Sequence, residues 1–103
     1  MKTKKTIAKE INIIFPPSDP ENKIAFIRDD GTLVVSGEQF GIVTFIHDGR
    51  PVQTDVLVVD YYDEQCYTEN AIPGVHKYLC EYIEKNGLEA DWESAGAFVI
   101  NAA

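Results

Sequence analysis

The stretch KIAFIRDDGTLVVS, residues 23–36, sets two apolar runs on either side of Asp30-Gly31. An Asp-Gly pair tolerates the positive φ angles of a type I′ turn, so residues 23–28 and 32–36 are predicted to pair as a hairpin. With a two-residue turn Phe26 faces Val35 and Arg28 faces Leu33, which gives the hairpin one largely apolar face.

The same signal recurs downstream. Residues 42–47 and 52–62 are separated by Asp48-Gly49-Arg50-Pro51. A two-residue Asp48-Gly49 turn puts Val43, Phe45, Val52, Val56 and Val58 on one face. Pro51 cannot donate to a ladder, so regular pairing is expected to resume at Val52. The run Val56-Leu57-Val58-Val59 is apolar on both parities, as in a strand covered on both sides.

Upstream, Ile7, Ile11, Ile13 and Phe15 fall on one parity and Pro16-Pro17 follow, so residues 6–15 are expected to form a strand. Residues 18–22 are polar, contain Pro20 and read as a loop. Beyond a polar connection at 66–71, residues 72–86 are predicted to be a helix. Pro73 suits its first turn, and Val75, Leu79, Tyr82 and Ile83 form an apolar stripe at helical spacing. Gly87 is placed as the left-handed residue after that helix, with Leu88 packing back on its last turn. Residues 92–101 end in Phe98-Val99-Ile100 and are assigned to a last strand. The predicted order is β, ββ, ββ, α, β. This is an α+β domain over residues 1–103, with an antiparallel sheet of about five strands and one helix of the C-terminal half on a face.

The chain has 103 residues, of which 45% are hydrophobic and 25% charged, and it carries a net charge of -8. That composition belongs to a globular domain rather than a disordered or disulfide-stapled one, and its sign argues against direct binding to nucleic acid. Lys2, Lys4 and Lys5 imitate the start of a signal peptide, but Lys9 and Glu10 break the apolar stretch that should follow. No run approaches the length of a spanning helix. A cytoplasmic protein is expected. Cys66 and Cys80 are expected to be unbridged.

The charge is unevenly placed. Residues 1–50 hold seven basic and seven acidic side chains, whereas residues 51–103 hold only Lys77 and Lys85 against ten acids. All five tyrosines (Tyr61, Tyr62, Tyr67, Tyr78 and Tyr82) lie in the same half, and Trp92 sits between Asp91 and Glu93. Carboxylates in such number focus a potential that steers a basic partner, and Tyr and Trp are the usual anchors of binding surfaces. An acidic excess also keeps a protein soluble without binding anything. What exceeds that role is the segment 60–64, Asp60-Tyr61-Tyr62-Asp63-Glu64, where three acids and two tyrosines gather as a buried strand exits. The predicted partner-binding residues are Asp60, Tyr61, Tyr62, Asp63, Glu64, Tyr67, Glu69, Asp91, Trp92 and Glu93.

Catalytic chemistry finds less support. His76 and Cys80 share a helix face, but no Cys-x-x-Cys or His-x-x-x-His pair completes a zinc site. His76 is placed at the helix border and Cys80 as a small buried hydrophobe. A nucleophilic thiol needs a cation or helix N-terminus nearby, and Cys80 lies mid-helix among acids. Asp29-Asp30-Gly31 and Asp48-Gly49 lack calcium-loop spacing, and the glycines are too scattered to cradle a phosphate. No catalytic residue, metal or cofactor is expected.

In size and charge the chain is similar to small acidic inhibitors, such as phage-encoded anti-CRISPR and DNA-mimic proteins, and to immunity proteins that neutralise nuclease toxins. That similarity implies a non-enzymatic protein docking on a basic macromolecule, for example a nucleic-acid-binding protein. The alternatives are a small enzyme or ligand-binding domain with a pocket between helix and sheet, using His47 or His76, and an assembly subunit that pairs through an edge strand.

Overall fold

The computed structural model describes residues 2–16, 23–36, 43–54, 59, 75–94 and 97–101. The fold is α+β. Its order is α1 (Lys4–Ile14), β1 (Ala25–Ile27), β2 (Leu33–Ser36), β3 (Val43–His47), β4 (Arg50–Thr54), α2 (Lys77–Lys85), β5 (Glu89–Ser94) and β6 (Ala97–Asn101). Instead of one sheet of about five strands, the described residues form two: an antiparallel four-stranded sheet in the order β1-β2-β6-β5, and the separate pair β3-β4.

The largest departure from the sequence reading is the first segment, which is a helix and not a strand. Ile7, Ile11 and Phe15 recur every four residues, a spacing that satisfies both an alternating and a helical pattern. Ile13 decides between them. A strand would bury it with the others, yet it is 61% exposed while Ile7, Ile11 and Phe15 are fully buried. Thr3 starts the helix by accepting a hydrogen bond from the Thr6 N–H at 3.2 Å. Pro16 follows its end, where it costs the helix nothing.

The β1-β2 register also differs from the expected one, by a single residue. Phe26 pairs with Val34 rather than Val35, and Ile27 pairs with Leu33. The loop holds three residues: Arg28 donates its N–H to the Thr32 carbonyl, and Gly31 alone takes a positive φ, of 86°. Asp30 stays right-handed and its carboxylate accepts from the Thr32 N–H at 2.9 Å. A one-residue slip exchanges the faces. Ala25, Leu33 and Val35 therefore join Phe98 and Ile100 on the face that meets the helices.

In β3-β4 the two-residue turn is present, with Asp48 at φ 51° and Gly49 at φ 75°, and Phe45 pairs with Val52 as expected. Pro51 is already in the ladder, opposite Ile46. In such a turn His47 and Arg50 form the hydrogen-bonded pair, so position 51 faces outward and its missing N–H is not needed. β4 ends at Thr54. Of the predicted continuation to residue 62 only Val59 is described, and it is fully buried in a single bridge to Val75.

The C-terminal helix is shorter than residues 72–86. Val75 is held by that bridge and His76 is the N-cap, so α2 begins at Lys77. Its stripe of Leu79, Tyr82 and Ile83 is buried as expected. Gly87 has φ 62°, with Leu88 N–H reaching the Ile83 carbonyl and Gly87 N–H the Glu84 carbonyl, the paired bonds of a Schellman end. The predicted single last strand is a hairpin, β5-β6, with an irregularity between Trp92 and Ser94.

The core lies between the helices and the inner sheet face, and it joins Ile7, Ile11 and Phe15 of the α1 segment to Leu33, Leu79, Phe98 and Ile100. The edge of β1 is closed by α1. The Asn12 side-chain amide donates to the Ala25 carbonyl at 2.8 Å and accepts from its N–H at 3.0 Å, standing in for a neighbouring strand.

Candidate functional site

Of the ten predicted binding residues, Asp60, Tyr61, Tyr62, Asp63, Glu64, Tyr67 and Glu69 lie outside the described residues, as does Cys66. Asp91, Trp92 and Glu93 are on β5, and the structure gives each a different position. The half-buried Trp92 ring turns inward and packs edge-to-face on Phe98, with centroids 5.1 Å apart. Glu93 binds Arg28 through two hydrogen bonds, Nη1 to Oε1 at 2.9 Å and Nη2 to Oε2 at 2.6 Å. Those bonds hold the Glu93 carboxyl below its ordinary range and the Arg28 guanidinium above its own. Arg28 follows β1, at one edge of the sheet, and Glu93 is on β5, at the other. The pair therefore spans the outer sheet face, where Val34 is only 2% exposed. Asp91 pairs with Val99 and stands exposed on that same face.

Exposed carboxylates also stand on α2, which packs on the opposite face of the sheet. Glu81 and Glu84 lie on the solvent side of α2, and beyond the Gly87 turn come Glu89 and Asp91, with Lys77 and Lys85 on the same helix. Tyr82 belongs to the packing: its hydroxyl donates to Glu10 Oε1 at 2.7 Å. Burial, then that hydrogen bond and the nearby Glu10 charge, push its phenol far above the ordinary tyrosine range.

The structure also joins three residues distant in sequence. His47, at the end of β3, stacks nearly parallel to the Tyr78 ring, with centroids 5.6 Å apart. Its Nδ1 is hydrogen-bonded to the Tyr78 hydroxyl, and its Nε2 lies 3.3 Å from Asp48 Oδ2. A neutral imidazole satisfies both contacts when the phenol donates to Nδ1 and the Nε2–H donates to the carboxylate. Burial, then the Asp48 and Glu81 charges, hold the Tyr78 phenol above its ordinary value. The protonated phenol is thus available as the hydrogen-bond donor to Nδ1. Sequence reading missed this Asp48–His47–Tyr78 chain because no local spacing ties a hairpin tip to the first turn of a helix thirty residues on.

Beneath it lies His76, which is 8% exposed and caps α2 from outside instead of lying within a helix begun at residue 72. Phe15 meets its ring edge-on at 5.2 Å and Phe45 lies tilted at 5.0 Å. Cys80 is buried, its thiol donating to the Val75 carbonyl at 3.6 Å. Among the described residues no three His, Cys, Asp or Glu side chains are grouped to hold a metal ion. Nor is any helix among them long and apolar enough to cross a membrane. Comparison with protein-family models, with curated proteins and with solved structures finds no match to this chain.

Proposed function

We propose that this is a non-enzymatic binding protein of the cytoplasm, which docks its acidic, tyrosine-rich second half on a basic macromolecular surface. A partner with a nucleic-acid-binding groove fits that chemistry, as for an inhibitor of the DNA-mimic or anti-CRISPR kind, and so does a basic toxin held by an immunity protein. The observation that carries the reading is charge segregation: the whole net charge of -8 belongs to residues 51–103. The exposure of Glu81, Glu84, Glu89 and Asp91 along α2 and β5 supports it. Long-range attraction would speed encounter, and aromatic anchors would slow release.

The test is association and dissociation rates at several salt concentrations, against a partner recovered from the native host, or from the host's target cell if the gene is viral. Asp63→Lys with Glu64→Lys should slow association and flatten its salt dependence. Asp19→Lys with Glu21→Lys, in the neutral half, should do much less. Truncating Tyr62 or Tyr67 should speed dissociation, at a cost of about 2 kcal/mol or more at a hot spot. Equal effects from both reversals reduce the reading to bulk charge, and silence from reversals and tyrosines alike removes it.

A second reading rests on the Asp48–His47–Tyr78 chain, which places an exposed, hydrogen-bonded imidazole beside a phenol. A small-molecule site using His47 would show as ligand-induced shifts of its ring resonances, and as ligand binding that His47→Ala abolishes.

A further inference from the structure

Three elements share the imidazole of His76 as a packing surface. Phe15 at the end of α1, Phe45 of β3 and Tyr78 of α2 all place their rings within 5.5 Å of it, centroid to centroid. The same ring caps α2, its Nδ1 accepting from the Tyr78 N–H at 3.2 Å. The capping role requires the neutral form. Nδ1 accepts from a backbone N–H only while it carries no proton. An imidazolium there would aim a donor at a donor and would set a positive charge at the positive end of the helix dipole.

The surroundings offer such a charge little compensation. From α1 the contact is Phe15, and from β3 it is Phe45, with His47 further along the strand engaged with Tyr78 and Asp48. From α2 itself come Tyr78, the exposed Lys77 and Cys80, whose N–H donates to the His76 carbonyl at 3.0 Å. Among the described groups packed on the ring there is no carboxylate, since Asp48 and Glu81 act on Tyr78.

We propose that His76 is a pH-operated latch: protonation of its ring releases the first turn of α2 and uncouples the β3-β4 hairpin from α1 and α2. Burial holds the ring below the ordinary histidine value of 6.5, which fixes the sign. The latched state binds the proton less well than the opened one. Its stability is therefore complete above about pH 6.5 and declines as the pH falls from there toward the depressed value.

The experiment follows hydrogen exchange of the Tyr78 and Cys80 amides from about pH 7 to about pH 5, corrected for intrinsic rates, together with NMR titration of both imidazoles. His76 should titrate below 6.5, its ordinary value. Protection at the two amides should fall by at least about threefold over the range, and by at most about tenfold per pH unit, while protection at Val35 in the main sheet holds. His76→Asn keeps an oxygen to cap the helix but does not titrate, so the fall should vanish; in His47→Asn it should persist. The latch is overturned if His76 titrates at 6.5 or above, if the fall is smaller than threefold, if Val35 loses protection in step, if His76→Asn keeps the fall or if His47→Asn abolishes it. Should His76→Asn fail to fold, the wild-type titration and His47→Asn decide.

Discussion

The β1-β2 and β3-β4 hairpins both turn on Asp-Gly, yet in β1-β2 only Gly31 takes a positive φ, whereas in β3-β4 Asp48 and Gly49 both do. The first hairpin loops over three residues and hands its alternate side chains to the main core, where Ala25, Leu33 and Val35 are buried. The second loops over two and stands apart from the main sheet; among its described side chains Phe45 reaches the core while Val52 is 37% exposed. What sets the register is whether the Asp itself turns left-handed. In the first hairpin the Asp30 carboxylate takes up the Thr32 N–H and the chain gains a residue before pairing resumes. A dipeptide thus marks where a chain reverses without fixing which face goes inward.

Core truncation should break the comparison most visibly. Leu33 is fully exposed to the core and closed to solvent, so Leu33→Ala should destabilise the whole domain by about 2–5 kcal/mol in denaturant unfolding. Leu79→Ala, on the buried stripe of α2, belongs in the same range. Val52→Ala should stay within about 0.5 kcal/mol. Equal costs at Leu33 and Val52 would show that the hairpins are equally built into the core.

The residues that were legible in the sequence are those whose local chemistry admits one reading. The α2 stripe, the Gly87 end and the reversals at Gly31 and Gly49 each require a particular backbone, and each is present. The α1 segment failed because Ile7, Ile11 and Phe15 fit two periods, and the residue that separates them, Ile13, is apolar and still points to solvent. β5 was missed in part because Glu89, Ala90 and Asp91 look like a polar connection, and only pairing with Asn101, Ile100 and Val99 makes them a strand. In the candidate site, charge segregation was legible because it is a matter of counting. The engagement of Glu93 with Arg28, sixty-five residues away, and of His47 with Tyr78 was not, because both depend on tertiary placement.

Glycine substitution sharpens the contrast between the turns. Gly31 and Gly49 sit at φ 86° and 75°, and a Cβ would meet no atom within 4 Å at either position. Alanine would therefore be strained by the backbone alone, by about 1–2 kcal/mol. At Gly31 that strain should appear in global stability, because opening the turn pulls Leu33 and Val35 out of the core. At Gly49 much of it should be relieved by local opening, with reduced amide protection across β3-β4 and a smaller shift in the global midpoint. Exchange and denaturant unfolding on the same pair of variants measure both quantities.

The smallest expected effect concerns what holds the second hairpin down. Tyr78→Phe removes the hydroxyl bonded to His47 Nδ1 and leaves the ring that packs beside Phe45, at a centroid distance of 5.3 Å. The bond is exposed, so solvent replaces much of it, and global stability should hardly change. Locally, protection of the β3-β4 amides should fall a few-fold, since among the described residues the hydroxyl supplies the side-chain hydrogen bond that ties the hairpin tip to α2. The His47 ring should shift as well, because its Nδ1 loses a donor while Asp48 remains at Nε2. An unchanged hairpin in Tyr78→Phe would assign the docking to ring packing alone, of Phe45 on His76 and of Phe45 and His47 on the ring at position 78. Aromatic packing around the cap would then be the whole of the clasp, and the Asp48–His47–Tyr78 chain would be left without a structural role.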